Sequence, residues 1–167
     1  VSINPQRIKN MILTGADERI LDSMVSSVIN WCEGVKDKQT QIHFFGEYDA
    51  AHRNHEGSVR CHYHRSIQEQ LDELERQRNN PNQDYTVNVF VQPDKYTELT
   101  QSAGSIRSNQ GVESMKQLME RSGSNRGFAL VYSKSFKNLR SNMSYLLNVA
   151  PVHITSVGDL ENLKYAM

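Results

Sequence analysis

The sequence of 167 residues lacks the marks of a membrane, secreted or nucleic-acid-binding protein. Its 19 basic and 19 acidic residues cancel, so the chain as a whole has no excess positive charge with which to bind nucleic acid. It has no apolar run near the roughly 18 residues that cross a bilayer, and its amino-terminal segment lacks the apolar centre of a signal peptide. Two cysteines, Cys32 and Cys61, are too few for a disulfide scaffold, which favours a reducing compartment.

The length fits one compact domain, since domains run to about 100–200 residues. The chain begins at Val1 without a methionine. We therefore expect residues 1–167 to form a single domain that belongs to a longer, multidomain protein.

Apolar residues occur in short blocks whose patterns alternate between strand and helix. Strands are predicted over 9–15, 41–46, 58–63, 85–91, 128–132 and 152–157. These runs are apolar or alternating, and glycine, proline or polar residues follow them. Helices are predicted over 17–33, 66–78, 112–119 and 136–147, where apolar residues recur every three or four positions. This alternation predicts an α/β fold, a three-layer sandwich with a mostly parallel sheet.

The first strand-to-helix turn, residues 15–23, is the place where open α/β sheets usually bind phosphate. A phosphate loop of the form GxxxxGK[ST] needs a second glycine, a lysine and a hydroxyl. Counting from Gly15, these positions hold Ile20, Leu21 and Asp22. A shift to use Ser23 does not restore the lysine, and Asp17 and Glu18 bring negative charge to the helix end. These residues predict a capped turn without bound nucleotide.

A carboxylate for magnesium is also missing from its usual position. In nucleotide hydrolases such a carboxylate helps to hold the metal beside the phosphates. Here the apolar strand at 87–91 is followed by Gln92 and Pro93, and Asp94 comes only afterwards. Two independent defects therefore predict that this segment does not hydrolyse nucleotide.

Six segments that span nearly the whole chain occur in a recognisable order. They are NMILTGADERILDSMVSSVIN, QIHFFG, SIQEQLDELERQR, VNVFVQPDKYTEL, MKQLMERSGSNRGFALVYSKSF and PVHITS. In this order the chain resembles the FtsK/SpoIIIE ATPase family, in particular the degenerate carboxyl-terminal modules of the EssC/EccC ATPases of bacterial type VII secretion. The resemblance lies in the order of elements, with few identical positions.

The resemblance implies a RecA-like P-loop NTPase topology and a module of an ATP-driven translocase on the cytoplasmic side of the cell membrane. The degenerate nucleotide-binding positions then fall on Gly15, Ala16, Asp17, Glu18, Arg19, Ser23, Gln92, Asp94, Ser133 and Lys134. It implies no catalytic residue and no cofactor in this segment, while the parent protein is an ATPase. The implied partners are adjoining ATPase modules and a secreted protein, with membrane contact through the parent and no nucleic acid. Weak binding of ATP and Mg²⁺ through Gly15 and Lys134 stays open as an alternative.

Histidines are concentrated in one short stretch, where His52, His55, His62 and His64 accompany Cys61. Imidazole and thiolate groups are zinc ligands, so a small metal-dependent α/β enzyme is the alternative function. Strand alternation sends His62 and His64 to one face and Cys61 to the other, so only a subset can converge. We expect these histidines to face solvent without a metal.

A second alternative comes from a partial motif in the last strand. His153 and Thr155 match half of the paired His-x-Thr signature of two-histidine phosphodiesterases. The other strand histidine is His43, which is followed by Phe44 and Phe45 rather than by a hydroxyl residue.

Overall fold

The computed structural model describes residues 5, 8–34, 39–48, 59–80, 85–100, 110–122, 127–150 and 152–155. Within these ranges the chain alternates between strands and helices. The strands are β1 (Asn10–Thr14), β2 (Thr40–Phe45), β3 (Val59–His64), β4 (Thr86–Val91), β5 (Gly127–Ser133) and β6 (Val152–Thr155). The α-helices are α1 (Arg19–Gly34), α2 (Ile67–Arg78), α3 (Gln110–Arg121) and α4 (Phe136–Asn142).

The six strands form one sheet in the order β3-β2-β4-β5-β1-β6, and every neighbouring pair is parallel. Successive residues of a strand point to opposite faces. Met11 of β1 therefore packs in the apolar cluster of α1, while Ile12 packs in a second cluster with α2, α3 and α4. The sheet thus carries helices on both faces, which confirms the predicted α/β sandwich.

The local patterns predicted most elements correctly. All six strands form close to their predicted positions. Six apolar residues of α1 that recur at spacings of three and four are all buried: Leu21, Met24, Val25, Val28, Ile29 and Cys32. None of the helices in the described ranges is long and apolar enough to cross a membrane.

The helix predicted over 136–147 is shorter than its apolar spacing indicated. It ends at Asn142, and Met143 leaves helical geometry with φ −139° and ψ 42° before a 3₁₀ turn at Ser144–Leu146. Leu146 is nevertheless fully buried. Apolar residues three positions apart are compatible with a 3₁₀ turn as well as with an α-helix. The spacing therefore did not distinguish the two structures.

Candidate functional site

The turns that follow β1, β4 and β5 meet at one edge of the sheet. These are neighbouring parallel strands in the order β4-β5-β1, so their carboxyl ends lie side by side. The Gly15 amide donates to the Ser133 carbonyl at 3.3 Å, and the Tyr132 hydroxyl donates to the Gly15 carbonyl at 2.7 Å. The Gln92 amide donates to the Tyr132 carbonyl at 2.7 Å. Three turns that are far apart in sequence are thereby joined where open α/β sheets bind ligands.

Two acidic residues, Asp17 and Glu18, lie at the start of α1. Asp17 accepts the Arg19 backbone N–H at 3.0 Å and the Arg19 Nε–H at 2.7 Å, and these hydrogen bonds lower the pKa of Asp17. Glu18 Oε1 lies 3.9 Å from Lys134 Nζ and accepts a hydrogen bond from the Gln92 side-chain amide at 3.4 Å. Asp17 therefore caps one backbone amide at the start of α1, and Glu18 adds a second negative charge beside the helix end that would otherwise attract a phosphate.

The positions assigned to a degenerate nucleotide site are mostly gathered at this edge. Ala16 is exposed in the same turn as Asp17. Ser23 lies one helical turn beyond Arg19 in α1, where it is exposed and its carbonyl accepts the Ser27 hydroxyl at 3.1 Å. Ser23 is the one member of the set that stands apart from the turn.

Asp94 is brought back toward the end of β5 by an unusual backbone turn. Gln92 adopts a left-handed conformation with φ 51°, and Pro93 then starts a 3₁₀ turn that contains Asp94. The Oδ1 atom of Asp94 is buried without a hydrogen-bond partner among the described residues. Burial raises the pKa of Asp94, and hydrogen bonds with Ser133 and its own backbone, with the charge of Lys95, offset only part of this effect.

Replacing Asp94 with asparagine is expected to raise the free energy of unfolding at pH 7 by about 1 kcal/mol. In the wild type the folded-state pKa lies above the unfolded-state value. The contribution of Asp94 to stability is therefore greatest below the unfolded-state pKa and is lost as pH rises through the folded-state pKa. Asparagine does not titrate, so the variant lacks this loss. Urea unfolding between about pH 3 and pH 7 measures the difference.

Asp72→Asn is the matched control, because Asp72 is an exposed carboxylate on α2. Its stability at pH 7 should equal that of the wild type within about 0.5 kcal/mol. An Asp94→Asn protein less stable than the wild type at pH 7 would contradict the assignment of Asp94 as a destabilising buried carboxylate.

A second group of polar side chains lies under α2, on the half of the sheet formed by β2 and β3. His43 of β2 is only 4% exposed, and its Nδ1 lies 2.9 Å from His64 Nε2 and 3.2 Å from Glu73 Oε1. The His62 and His64 rings stack on the His43 ring, with centroids 4.6 and 5.2 Å away. Ligand atoms of His43, His64 and Glu73 all lie within 4.8 Å of one another. We call these three residues the His-His-Glu cluster.

Glu73 is held in place by hydrogen bonds from its own helix. Arg76 Nε donates to Oε2 at 2.8 Å, and Gln77 Nε2 donates to Oε1 at 3.1 Å. Asp72 and Arg76 have the i,i+4 spacing at which opposite charges on a helix often pair, and the sequence therefore predicts an ion pair between them. That prediction is wrong, because Asp72 instead accepts from the Gln68 amide at 2.8 Å. Arg76 binds Glu73 rather than Asp72 because Glu73 is buried. A buried carboxylate without a partner costs more free energy than an exposed one, which water can solvate.

The protonation states of the cluster follow from burial and neighbouring charge. Burial lowers the pKa of His43 to about 3, outweighing the opposing attraction of Glu73. Burial also lowers the pKa of His64. For Glu73, burial acts to raise the pKa, but hydrogen bonds from Arg76 and Gln77 and the electrostatic effect of His43 lower it overall. At neutral pH the cluster consists of two neutral imidazoles and one carboxylate.

The structure brings together only part of the predicted histidine set. His62 and His64 lie on the face of β3 that stacks on His43, while Cys61 packs in the α1 cluster on the other face, as alternation predicted. His62 is exposed and its Nε2 lies 2.7 Å from Gln41 Oε1. His52 and His55 lie outside the described residues.

The two-histidine phosphodiesterase alternative is wrong. His43 is in β2 and His153 is in β6, with β4, β5 and β1 between them in the sheet. His153 Nε2 instead lies 2.9 Å from Thr14 Oγ1, and its ring stacks on Phe136 at 4.4 Å. Two histidines separated by three strands cannot act on one phosphate.

Sequence reasoning missed the contributions of His43 and Glu73. The signal for His43 was its position within the apolar strand β2, which indicates that the imidazole is buried. A buried imidazole needs a hydrogen-bond partner, so a second polar group was to be expected nearby. The signal for Glu73 was an acidic residue next to Leu74, which lies on the inner face of α2. In the structure Glu73 is only 8% exposed and Leu74 is buried.

Comparison with protein-family models, curated proteins and solved structures finds no match for this chain. The case for a function therefore depends on the residues and geometry of these two sites.

Proposed function

We propose that this chain is a catalytically degenerate, RecA-like ATPase module of a bacterial type VII secretion translocase. In this proposal it acts by binding a secreted protein or an adjoining module, on the cytoplasmic side of the membrane through its parent, without hydrolysing ATP. The observation that carries the proposal is the pair of carboxylates at the start of α1. Asp17 accepts the Arg19 amide and Glu18 lies 3.9 Å from Lys134, at the edge where open α/β sheets usually bind ligands.

The arrangement of strands supports the RecA-like part of the proposal. By resemblance, β1 carries the phosphate loop, β4 the magnesium carboxylate and β5 the polar sensor. A nucleotide needs all three at one place, and the order β4-β5-β1 puts their carboxyl ends side by side. The Gln92 and Gly15 backbone hydrogen bonds to residues 132 and 133 join these ends directly.

The charges at this edge support the loss of hydrolysis. Lys134, at the sensor position, faces Glu18 at 3.9 Å, and Arg19 is bound by Asp17. Gln92, at the magnesium position, is neutral and donates its amide to Glu18. A triphosphate would have to displace these contacts while approaching two carboxylates, which opposes its binding.

Calorimetric titration of the chain with ATP and Mg²⁺ tests the proposal, and we expect no binding. A dissociation constant tighter than roughly 100 μM, about −5.5 kcal/mol, would overturn it in favour of the ATP-binding alternative. Comparison of Lys134→Gln with Lys137→Gln locates any binding, because only Lys134 belongs to the candidate site. Loss of binding in Lys134→Gln alone would assign the nucleotide to this edge.

The secretion role is tested in the parent translocase. We expect deletion of this module to stop export of the secreted protein while the remaining modules keep their ATPase activity. Normal export after deletion would contradict the secretion role.

A further inference from the structure

We propose that the His-His-Glu cluster binds one divalent transition-metal ion, with Zn²⁺ as the best-fitting ion. His43 Nδ1, His64 Nε2 and Glu73 Oε1 are the ligand atoms. This site is separate from the edge formed by β1, β4 and β5, and the inference does not rest on the proposed function.

Two of the three separations in the cluster are close to those between the ligand atoms of a metal. Zinc binds imidazole nitrogen at about 2.0–2.1 Å and carboxylate oxygen at about 2.0–2.2 Å, so tetrahedral ligand atoms lie about 3.3 Å apart. Here His43 Nδ1 is 2.9 Å from His64 Nε2 and 3.2 Å from Glu73 Oε1. The third separation, between the ligand atoms of His64 and Glu73, lies within 4.8 Å. A metal that replaces the hydrogen-bonding proton must therefore draw these two side chains together by up to about 1.5 Å.

The donor set matches zinc chemistry. Two histidines and one carboxylate are a known three-ligand set for zinc, and the fourth position in such sites holds water or substrate. His43 is buried, while His64 at the end of β3 is partly exposed, which leaves the solvent side of the cluster for that fourth ligand.

The neighbouring residues orient the carboxylate. Arg76 contacts both oxygens of Glu73: its Nε donates to Oε2 at 2.8 Å and its Nη2 donates to Oε1 at 2.5 Å. A metal on Oε1 must therefore displace the Nη2 contact, while the Nε hydrogen bond to Oε2 keeps the carboxylate in place. Gln77 also contacts Oε1 and is itself fixed by two hydrogen bonds with Asn88. Such outer partners fix a ligand's direction and contribute to metal affinity.

Titration of the metal-free full chain with Co²⁺ tests the site, because the visible spectrum of Co²⁺ reports its coordination. We expect one equivalent to bind with four- or five-coordinate bands and to be displaced by Zn²⁺. His64→Gln should weaken binding by at least about 100-fold, since loss of a ligand costs at least as much as loss of an outer partner. His64 is partly exposed at the sheet edge, and urea unfolding checks that the variant is folded. Glu73→Gln is the second ligand variant, with the same expected loss.

Two controls separate this site from other histidines. His62→Gln removes the exposed imidazole two residues away on the same strand face, and binding should change by less than about threefold. The double variant His52→Gln/His55→Gln should likewise keep its affinity. The inference is overturned if Co²⁺ and Zn²⁺ do not bind at millimolar concentration, if both folded ligand variants bind normally, or if either control loses binding as His64→Gln does. No nucleotide is present, so this result is independent of the ATP titration.

Discussion

Gly127→Ala is expected to destabilise the fold by about 3 kcal/mol. Gly127 is the first residue of β5 and lies opposite Thr86 of β4 in the middle of the sheet. A Cβ atom built there would lie 2.3 Å from the Thr86 carbonyl oxygen. This neighbour is backbone in a paired strand and cannot rotate away, so the β4–β5 pairing itself must shift. For a domain of this size the loss corresponds to a fall in Tm of about 6–12 °C.

Gly34→Ala is the matched control, because a Cβ atom at Gly34 meets nothing within 4 Å. Gly34 is the last residue of α1, so alanine there should leave stability unchanged or raise it by up to about 1 kcal/mol. Thermal unfolding followed by circular dichroism compares the two variants. Equal Tm values for Gly127→Ala and the wild type would show that the β4–β5 pairing can absorb a methyl group.

Asn88→Leu is expected to cost about 2–3 kcal/mol by breaking a buried amide pair. Asn88 of β4 and Gln77 of α2 exchange two hydrogen bonds, 2.9 and 3.0 Å long, and are 3% and 0% exposed. The substitution leaves the Gln77 carbonyl without the amide that it accepts from, in a place that water does not reach. Gln77→Met should cost as much or more, because it also removes the hydrogen bond to Glu73.

A double-mutant cycle measures this pair. The double variant Gln77→Met/Asn88→Leu should lose less stability than the sum of the single variants, with a coupling on the order of 2 kcal/mol, because neither amide then faces an apolar side chain in place of its partner. Gln68 and Asp72 on the exposed side of α2 form a control pair with one hydrogen bond of 2.8 Å. Their alanine cycle should give a coupling below about 0.5 kcal/mol. Additive losses for Gln77 and Asn88 would contradict the buried-pair interpretation.

Most of the fold could be predicted from local sequence patterns. The inner face of α1 follows from apolar residues that recur with the period of a helix, so that only one face can be buried. The buried strands β1 and β4 follow from short, mostly apolar runs. The helix predicted over 66–78 also begins where expected, with Ser66 as its N-cap accepting the Glu69 amide at the start of α2. The predicted helix over 136–147 was wrong in its carboxyl-terminal part, because apolar residues three positions apart fit both an α-helix and a 3₁₀ turn.

The departure from the phosphate-loop pattern is a property of the sequence alone. Ile20, Leu21 and Asp22 stand at the positions of the second glycine, the lysine and the hydroxyl, and Gln92 stands in place of a carboxylate. Alternation likewise determined that His62 and His64 share a face. These properties depend on the identity of a residue and its near neighbours.

The partners of His43 and Glu73 were decided only by the tertiary structure. The parallel register of β2 and β3 sets His43 opposite His62 and beside His64, and the packing of α2 on that face brings Glu73 within 3.2 Å. The conformation at Gln92 that buries Asp94 was decided in the same way. Such contacts join segments that are distant in the chain, so their distances depend on strand order, register and helix packing, which local spacing does not encode.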